Sequence, residues 1–288
     1  MILSYHPCFS GDRQILCAGR EPDKTDLGAI RSARAVILPQ GCGQALYRMA
    51  RENCAHVFPN YDVRFAYPRK SGQIRLFHRS GVPHPSTEFY PSLEIFTDAL
   101  NTGASRIAVR FPFVFKFDWG GEGRNVLWIP SPEALNDALD TARRYERTGQ
   151  KGFLVQEYIP AGNRVLRVVV IGARTVIYWR VLKNSETAVA GLAAGGVIDT
   201  ASDSAFQKAA GASVRRFCDA AGINLAGFDI LSPLQPPGAD PVFLEINYFF
   251  GRRGLGGSRA YYRMLIAEIE RWIDGIEAGP PMGSPQSA

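Results

Sequence analysis

Two late apolar runs carry groups that could bind a metal. Ala226–Leu231 holds Asp229, and Val242–Asn247 holds Glu245 and Asn247. Side chains two apart on a strand leave the same face, so Glu245 and Asn247 point together. A carboxylate buried in such a run is costly unless it is paired or metal-bound. Two carboxylates and an amide oxygen are hard donors, suited to Mg²⁺ shared with phosphates more than to Zn²⁺. A satisfied structural carboxylate or a sheet-edge hydrogen bond would also explain either run. Earlier, Lys116 closes the apolar run Phe113–Lys116 and precedes Gly120-Gly121-Glu122-Gly123. A lysine beside glycines can hold phosphate oxygens, because glycine lets backbone N–H groups come close. The same residues would serve as a hairpin turn. They form neither a P-loop nor a Rossmann fingerprint opening a helix. Arg252-Arg253-Gly254 lies just past the acidic run and could take an anionic carboxylate or phosphate. A solvated turn with Ser258 capping the next helix competes with that.

The elements that must position these groups follow from periodicity and punctuation. Residues 1–62 read as a small α/β unit: a short strand at Ile2-Leu3, a helix from Asp26 to Ala33, a buried strand at 35–38, a helix from Gly43 to Asn53, and a short strand at Val57-Phe58. Lys70–Ser80 has helical spacing and stops at Gly81. Ser92 caps a helix to about Asn101. The stretch 113–157 reads as strand, glycine loop, strand, helix, strand, with Ser131-Pro132 opening the helix. Val168–Trp179 reads as a hairpin turning at Gly172-Ala173, followed by an amphipathic helix over 203–221. A last helix covers 258–276, and the Pro/Gly/Ser-rich remainder reads as a loose tail.

Taken in order, these features resemble the ATP-grasp superfamily, and within it the compact carboxylate–amine ligases, such as those that add glutamate to a ribosomal protein, glutathione synthetase and D-alanine–D-alanine ligase. Lys70 stands one helix before Gly81-Val82-Pro83-His84-Pro85. Phe111-Pro112-Phe113-Val114-Phe115-Lys116 leads into the glycine loop. Val155-Gln156-Glu157-Tyr158-Ile159 is similar to the family hinge, Arg167-Val168-Val169-Val170-Ile171-Gly172 to the arginine strand, and Glu245-Ile246-Asn247 to the last metal strand. The resemblance implies an α+β ATP-grasp fold over 63–276, with a nucleotide-lid subdomain at about 98–157 and a metal-binding subdomain at about 158–276. Residues 1–62 would precede it and 277–288 would trail it. Lys70 and Lys116 would contact nucleotide phosphates, with Gly120, Gly121 and Gly123 closing over them. Gln156, Glu157, Tyr158 and Ile159 would face adenine. Asp229, Glu245 and Asn247 would hold one or two Mg²⁺, or Mn²⁺. Arg167 and Arg180 would stabilise the transferred phosphoryl group, and Arg252 and Arg253 would meet the substrate. The implied reaction joins a small-molecule or peptide carboxylate to an amine through an acyl-phosphate, using ATP. A kinase acting on a hydroxyl and a non-catalytic nucleotide binder are the competing readings. The family admits homo-oligomers. Val165, Gly191 and Tyr248-Phe249-Phe250-Gly251 depart from the family pattern and leave the substrate open.

Composition sets outer limits. The chain has 288 residues, 46% hydrophobic and 21% charged, which is ordinary globular usage. No apolar run reaches the length of a membrane span, and the N-terminus lacks a basic, apolar leader. Five cysteines without C-x-x-C spacing and four histidines without H-E-x-x-H give no disulfide framework or zinc knuckle, so a reducing cytosol fits. The net charge of +6 suits an anionic small ligand without requiring nucleic acid or a membrane.

Overall fold

The computed structural model describes residues 1–17, 19–106, 110–120, 125–182, 196–236 and 238–278, the side chains of 277 and 278 excepted. Gly121, Gly123, Gly191 and the tail from 279 lie outside the described residues. Three sheets organise the chain, and the mixture of helix and sheet is α+β as expected.

The first sheet is parallel, in the order β2-β1-β3-β4, from β1 (Ile2–Ser4), β2 (Arg13–Gln14), β3 (Ala35–Ile37) and β4 (His56–Phe58). Helix α1 (Lys24–Arg31) starts two residues before the expected Asp26. Asp23 is its N-cap, and Asp26 closes a capping box by accepting from the Asp23 N–H. Helix α2 is Gln44–Asn53. Two further helices, α3 (Asp62–Ala66) and α4 (Arg69–Arg79), lead out of this unit.

The second sheet is antiparallel, in the order β5-β8-β6-β7: β5 (Thr87–Tyr90), β6 (Phe113–Phe117), β7 (Val126–Ile129) and β8 (Phe153–Glu157). Helices α5 (Leu93–Asn101) and α6 (Pro132–Arg147) cover one face. Ser131 accepts from the Ala134 N–H and Pro132 begins α6, so that boundary was dictated locally. Phe113, Phe115, Phe117, Phe153 and Val155 bury that face with Phe96, Leu135 and Ala138. The alternate residues Val114, Lys116 and Gln156 therefore face the other way, into a cleft.

The third sheet is antiparallel, in the order β11-β10-β9-β12-β13: β9 (Arg164–Ile171), β10 (Arg174–Val181), β11 (Val197–Asp199), β12 (Leu225–Leu231) and β13 (Val242–Asn247). On one face Leu166, Val168, Phe228, Ile230, Phe243 and Ile246 pack on α7 (Ser204–Ala221) and α4. On the other, Val169, Ile171, Tyr178 and Leu225 pack on α8 (Gly257–Ala278) and on Ile37 and Phe58 of the first sheet. A bulge between Asp229 and Ile230 inserts Leu244 into β13. It lets Phe243 and Ile246, three apart, share the core face, and leaves Glu245 and Asn247 on the cleft face. No helix among the described residues is long and apolar enough to cross a membrane.

Candidate active site

The cleft face of the third sheet carries a row of polar side chains. The strand registers set Tyr178 opposite Arg167, Arg167 opposite Asp229, and Asp229 opposite Glu245. Arg167 donates through Nε (2.7 Å) and Nη2 (3.0 Å) to the two oxygens of Asp229, and both residues are buried. Arg180 Nη1 approaches the same carboxylate at 3.5 Å, and Asn247 donates Nδ2 to it at 3.1 Å. Gly227 makes room: a Cβ there would lie 3.2 Å from Arg167 Nη1. Glu245 is half-buried and makes no hydrogen bond or ion pair with a described residue. Burial, then the charge of Asp229, push its carboxyl above the usual range, against the pull of Lys116 and Lys70.

The two lysines approach from the opposite wall. Lys70 sits on α4, which is fixed at both ends of its first turns. Asp118 accepts from the Ser71 N–H and Oγ, each at 2.8 Å. Gln73 bonds both backbone groups of Ile246 at 2.8 Å, completing the outer edge of β13. Lys70 Nζ donates to the carbonyls of Trp119 (3.2 Å) and Gly120 (3.1 Å), holding the base of the glycine loop. Gly120 has φ +74°, which only glycine adopts freely. Lys116 on β6 is 8% exposed and has no hydrogen-bonding or ion-pairing partner among the described residues. Burial, with the like charge of Lys70, lowers its pKa to about 8, although Glu245 and Asp229 oppose that. A buried ammonium without a partner is expensive, and an oxyanion entering the cleft would relieve it.

Beyond the charged row the cleft floor turns apolar. Val165, Leu231, Val242 and Leu244 form a cluster joined by Ile159 of the hinge. Gln156 is buried and donates Nε2 to Thr87 Oγ1 at 2.8 Å, while Glu157 is exposed and its N–H donates to Ser86 O at 2.9 Å. Tyr158 is half-buried, 6.3 Å from the Trp128 ring. An apolar floor beside a charged pocket has the shape of a base site next to a phosphate site. Arg252 lies one turn further on, stacked on Tyr261 (4.9 Å) and Tyr262 (4.5 Å), while Arg253 is exposed. The turn is pressed on the row, since a Cβ at Gly254 would meet the Tyr178 ring at 2.2 Å.

The cleft thus brings together Lys70, Lys116, Arg167, Arg180, Asp229, Glu245 and Asn247. It engages Asp229 more fully than its sequence suggests. Both carboxylate oxygens accept from Arg167, so the free oxygen donors are those of Glu245 and the Oδ1 of Asn247. Among the described residues no group of three His, Cys, Asp or Glu gathers. The donor chemistry fits a hard cation completed by ligand oxygens. Asp118, Ser71 and Gln73 were not foreseen. Their partners lie 47 and 173 residues away, so no local spacing announces them.

The fold is α+β, with a lysine-lined cleft between two antiparallel sheets. The chain belongs to the family of the RimK-like ATP-grasp domain, whose model matches residues 69–260. Among solved structures, a RimK domain protein ATP-grasp from Sphaerobacter thermophilus is 15% identical, with 93% of this chain and 98% of that one covered and a TM-score of 0.60. The VanG D-Ala:D-Ser ligase from Enterococcus faecalis is 14% identical over 85% of this chain and 72% of that one, at 0.57. An N5-carboxyaminoimidazole ribonucleotide synthetase from Thermus thermophilus is 14% identical over 85% and 63%, at 0.53. At these identities the likeness is one of fold. No curated protein matches the chain by sequence.

Proposed function

We propose that the protein is an ATP- and Mg²⁺-dependent ligase joining a carboxylate to an amine through an acyl-phosphate. The observation that carries this reading is Lys116, a buried ammonium across the cleft from the carboxylate of Glu245, each without a partner among the described residues. Lys116 and Lys70 would bind the nucleotide phosphates, with the 120–123 loop excluding water. Gln156 to Ile159 and the floor of Val165, Leu231 and Leu244 would hold adenine. Glu245 and Asn247, with Asp229 behind them, would hold Mg²⁺, which supplies charge neutralisation on the phosphates. Arg180, less enclosed than Arg167, would face the transferred phosphoryl group; Arg167 keeps one nitrogen, Nη1, outside its pair with Asp229. A substrate carboxylate oxygen attacks the γ-phosphorus, the bond to the β-phosphate oxygen breaks, and ADP leaves. The amine nitrogen then attacks the acyl carbon, the bond to phosphate breaks, and the amine loses a proton. Position and electrostatics supply the catalysis.

The VanG ligase among the similar folds supports this reaction class, as does the family. Residues 1–62 and the Arg252-Arg253 turn would supply the substrate side. Free cysteines suit work in the cytosol. The test is ATP turnover with a panel of amino acids and dicarboxylates. ADP release should require Mg²⁺ and an acid, and hydroxylamine should trap a hydroxamate. A phosphorylated hydroxyl product without hydroxamate would establish a kinase instead. Glu245→Ala should abolish turnover; persistence would remove Glu245 from the metal site.

A further inference from the structure

His6 is 3% exposed, two residues past the end of β1. Its Nδ1 accepts from the Cys8 N–H at 3.1 Å. A backbone amide can only donate, so this bond fixes the neutral tautomer with the proton on Nε2. Burial, and then the charge of Arg252, lower the imidazole pKa to about 4, so the ring stays neutral in ordinary buffers. Nε2 has no partner among the described residues. It is not sealed either, because Tyr61 Oη is the only described buried side-chain N or O without both partner and solvent. His6 thus holds a fixed N–H that is unpartnered among the described residues and keeps some solvent contact.

What surrounds that N–H is preorganised. His6 meets the Tyr262 ring edge-on at 6.0 Å, and Arg252 stacks on the same ring. Among the described residues Arg252 makes one hydrogen bond, to Ser258 Oγ at 3.4 Å, which leaves most of its donors unused there. Tyr261 donates to Gln40 Oε1 (3.0 Å), and Gln40 donates to Tyr248 O (3.1 Å), so the Gln40 amide is held in place with one Nε2 hydrogen left to donate. Ser4 Oγ donates to the carbonyls of His6 and Phe9, and Gln14 donates to His6 O, holding the loop below. His6 follows β1 and Gln40 follows β3, the neighbouring strands from which a sheet of order β2-β1-β3-β4 sends its connections apart. Open α/β sheets bind ligands at that point. The groups offered are donors, one of them a cation.

We propose that the crevice of His6, Gln40 and Arg252 is an oxyanion site that grips a carboxylate of the acid substrate away from the reacting one. Its use for the acid substrate rests on the ligase reading; its affinity for an oxyanion does not. The test uses ring ¹H–¹⁵N spectra of the four histidines in the full-length protein, without ATP. His6→Asn assigns the His6 signal, and its Oδ1 keeps the acceptor for Cys8 N–H while removing the Nε2 donor. Succinate should shift the His6 Nε2 signal saturably, and Arg252→Gln should weaken that affinity about tenfold or more. In turnover, His6→Asn should raise KM for the acid and leave KM for ATP unchanged. A saturable shift with inorganic phosphate but none with succinate overturns the carboxylate assignment. No saturable shift with either overturns the site. Binding without any hydroxamate formation leaves the crevice standing and sinks the ligase reading. Ligation with His6→Asn at wild-type KM for the acid does the reverse.

Discussion

Lys116 is the residue whose energetics make the site testable without substrate. Its ordinary pKa near 10.5 falls to about 8 in the fold. Between those values the unfolded chain binds the extra proton, so folding stability rises as pH rises from 8 towards 10, and the whole penalty applies below 8. Phosphate oxygens would restore the charge, so nucleotide affinity should run the other way and weaken above pH 8. Lys116→Met removes the buried charge. The expected outcome is a ligand-free protein with a higher Tm that gains nothing from Mg²⁺-ADP, read by thermal denaturation across pH 6–10 (roughly the span over which Lys116 titrates). A lower Tm with nucleotide stabilisation intact would contradict it. Arg167 behaves oppositely, because its charge is already paired. Arg167→Met leaves Asp229 buried with the longer 3.5 Å contact from Arg180 as its remaining ion pair among the described residues, and should lower stability by about 3–5 kcal/mol in urea titration.

At the scale of elements, α4 positions Lys70 through Gln73 and Ser71 rather than through its own apolar face alone. Gln73→Ala leaves the N–H and carbonyl of Ile246 unpaired on the edge of β13. It should cost about 1–3 kcal/mol and raise KM for ATP, since the helix carrying Lys70 is no longer tied to the strand carrying Glu245. Equal KM in the variant and the parent would show that α4 is held by packing. The boundaries of such elements were readable where punctuation is local: Ser92 and Ser131 cap α5 and α6, and Gly172 turns the β9–β10 hairpin. Others were not. The β9 strand begins at Arg164, four residues before its apolar run, because Arg164 and Arg167 are polar yet buried or half-buried by partners far along the chain. Strands β5 and β2 have no apolar alternation and exist by pairing with β8 and β1. Within the site, the residue types at Lys116, Glu245 and Asn247 were visible from spacing. The engagement of Asp229 by Arg167 needed the register of β9 against β12, which no local pattern encodes.

Over the whole molecule, the three sheets do not form one core. Ile37 and Phe58 of the first sheet pack in the same cluster as Val169, Ile171 and Leu225 of the third. Among the described residues, the cluster under the second sheet draws on residues between Tyr90 and Val155. That sheet is joined to the rest by polar ties: Lys70 to Trp119 and Gly120, and Ser71 to Asp118. A body with its own core and polar ties can open locally at less than the global cost. Nucleotide held by Lys116 on one side and Glu245 on the other would bridge the two bodies, adding about 2.7 kcal/mol at a hundredfold excess over Kd. Hydrogen exchange should therefore slow most in β6 and β8, whose amides open with the second sheet, and less in β3, which opens only with the whole chain. Saturating Mg²⁺-ADP supplies the perturbation, and inorganic phosphate, which has no base to reach Ile159 and the floor, should slow β6 less. Uniform slowing across all three sheets would mean that the chain opens as a single unit, and that the second sheet is not a separate jaw.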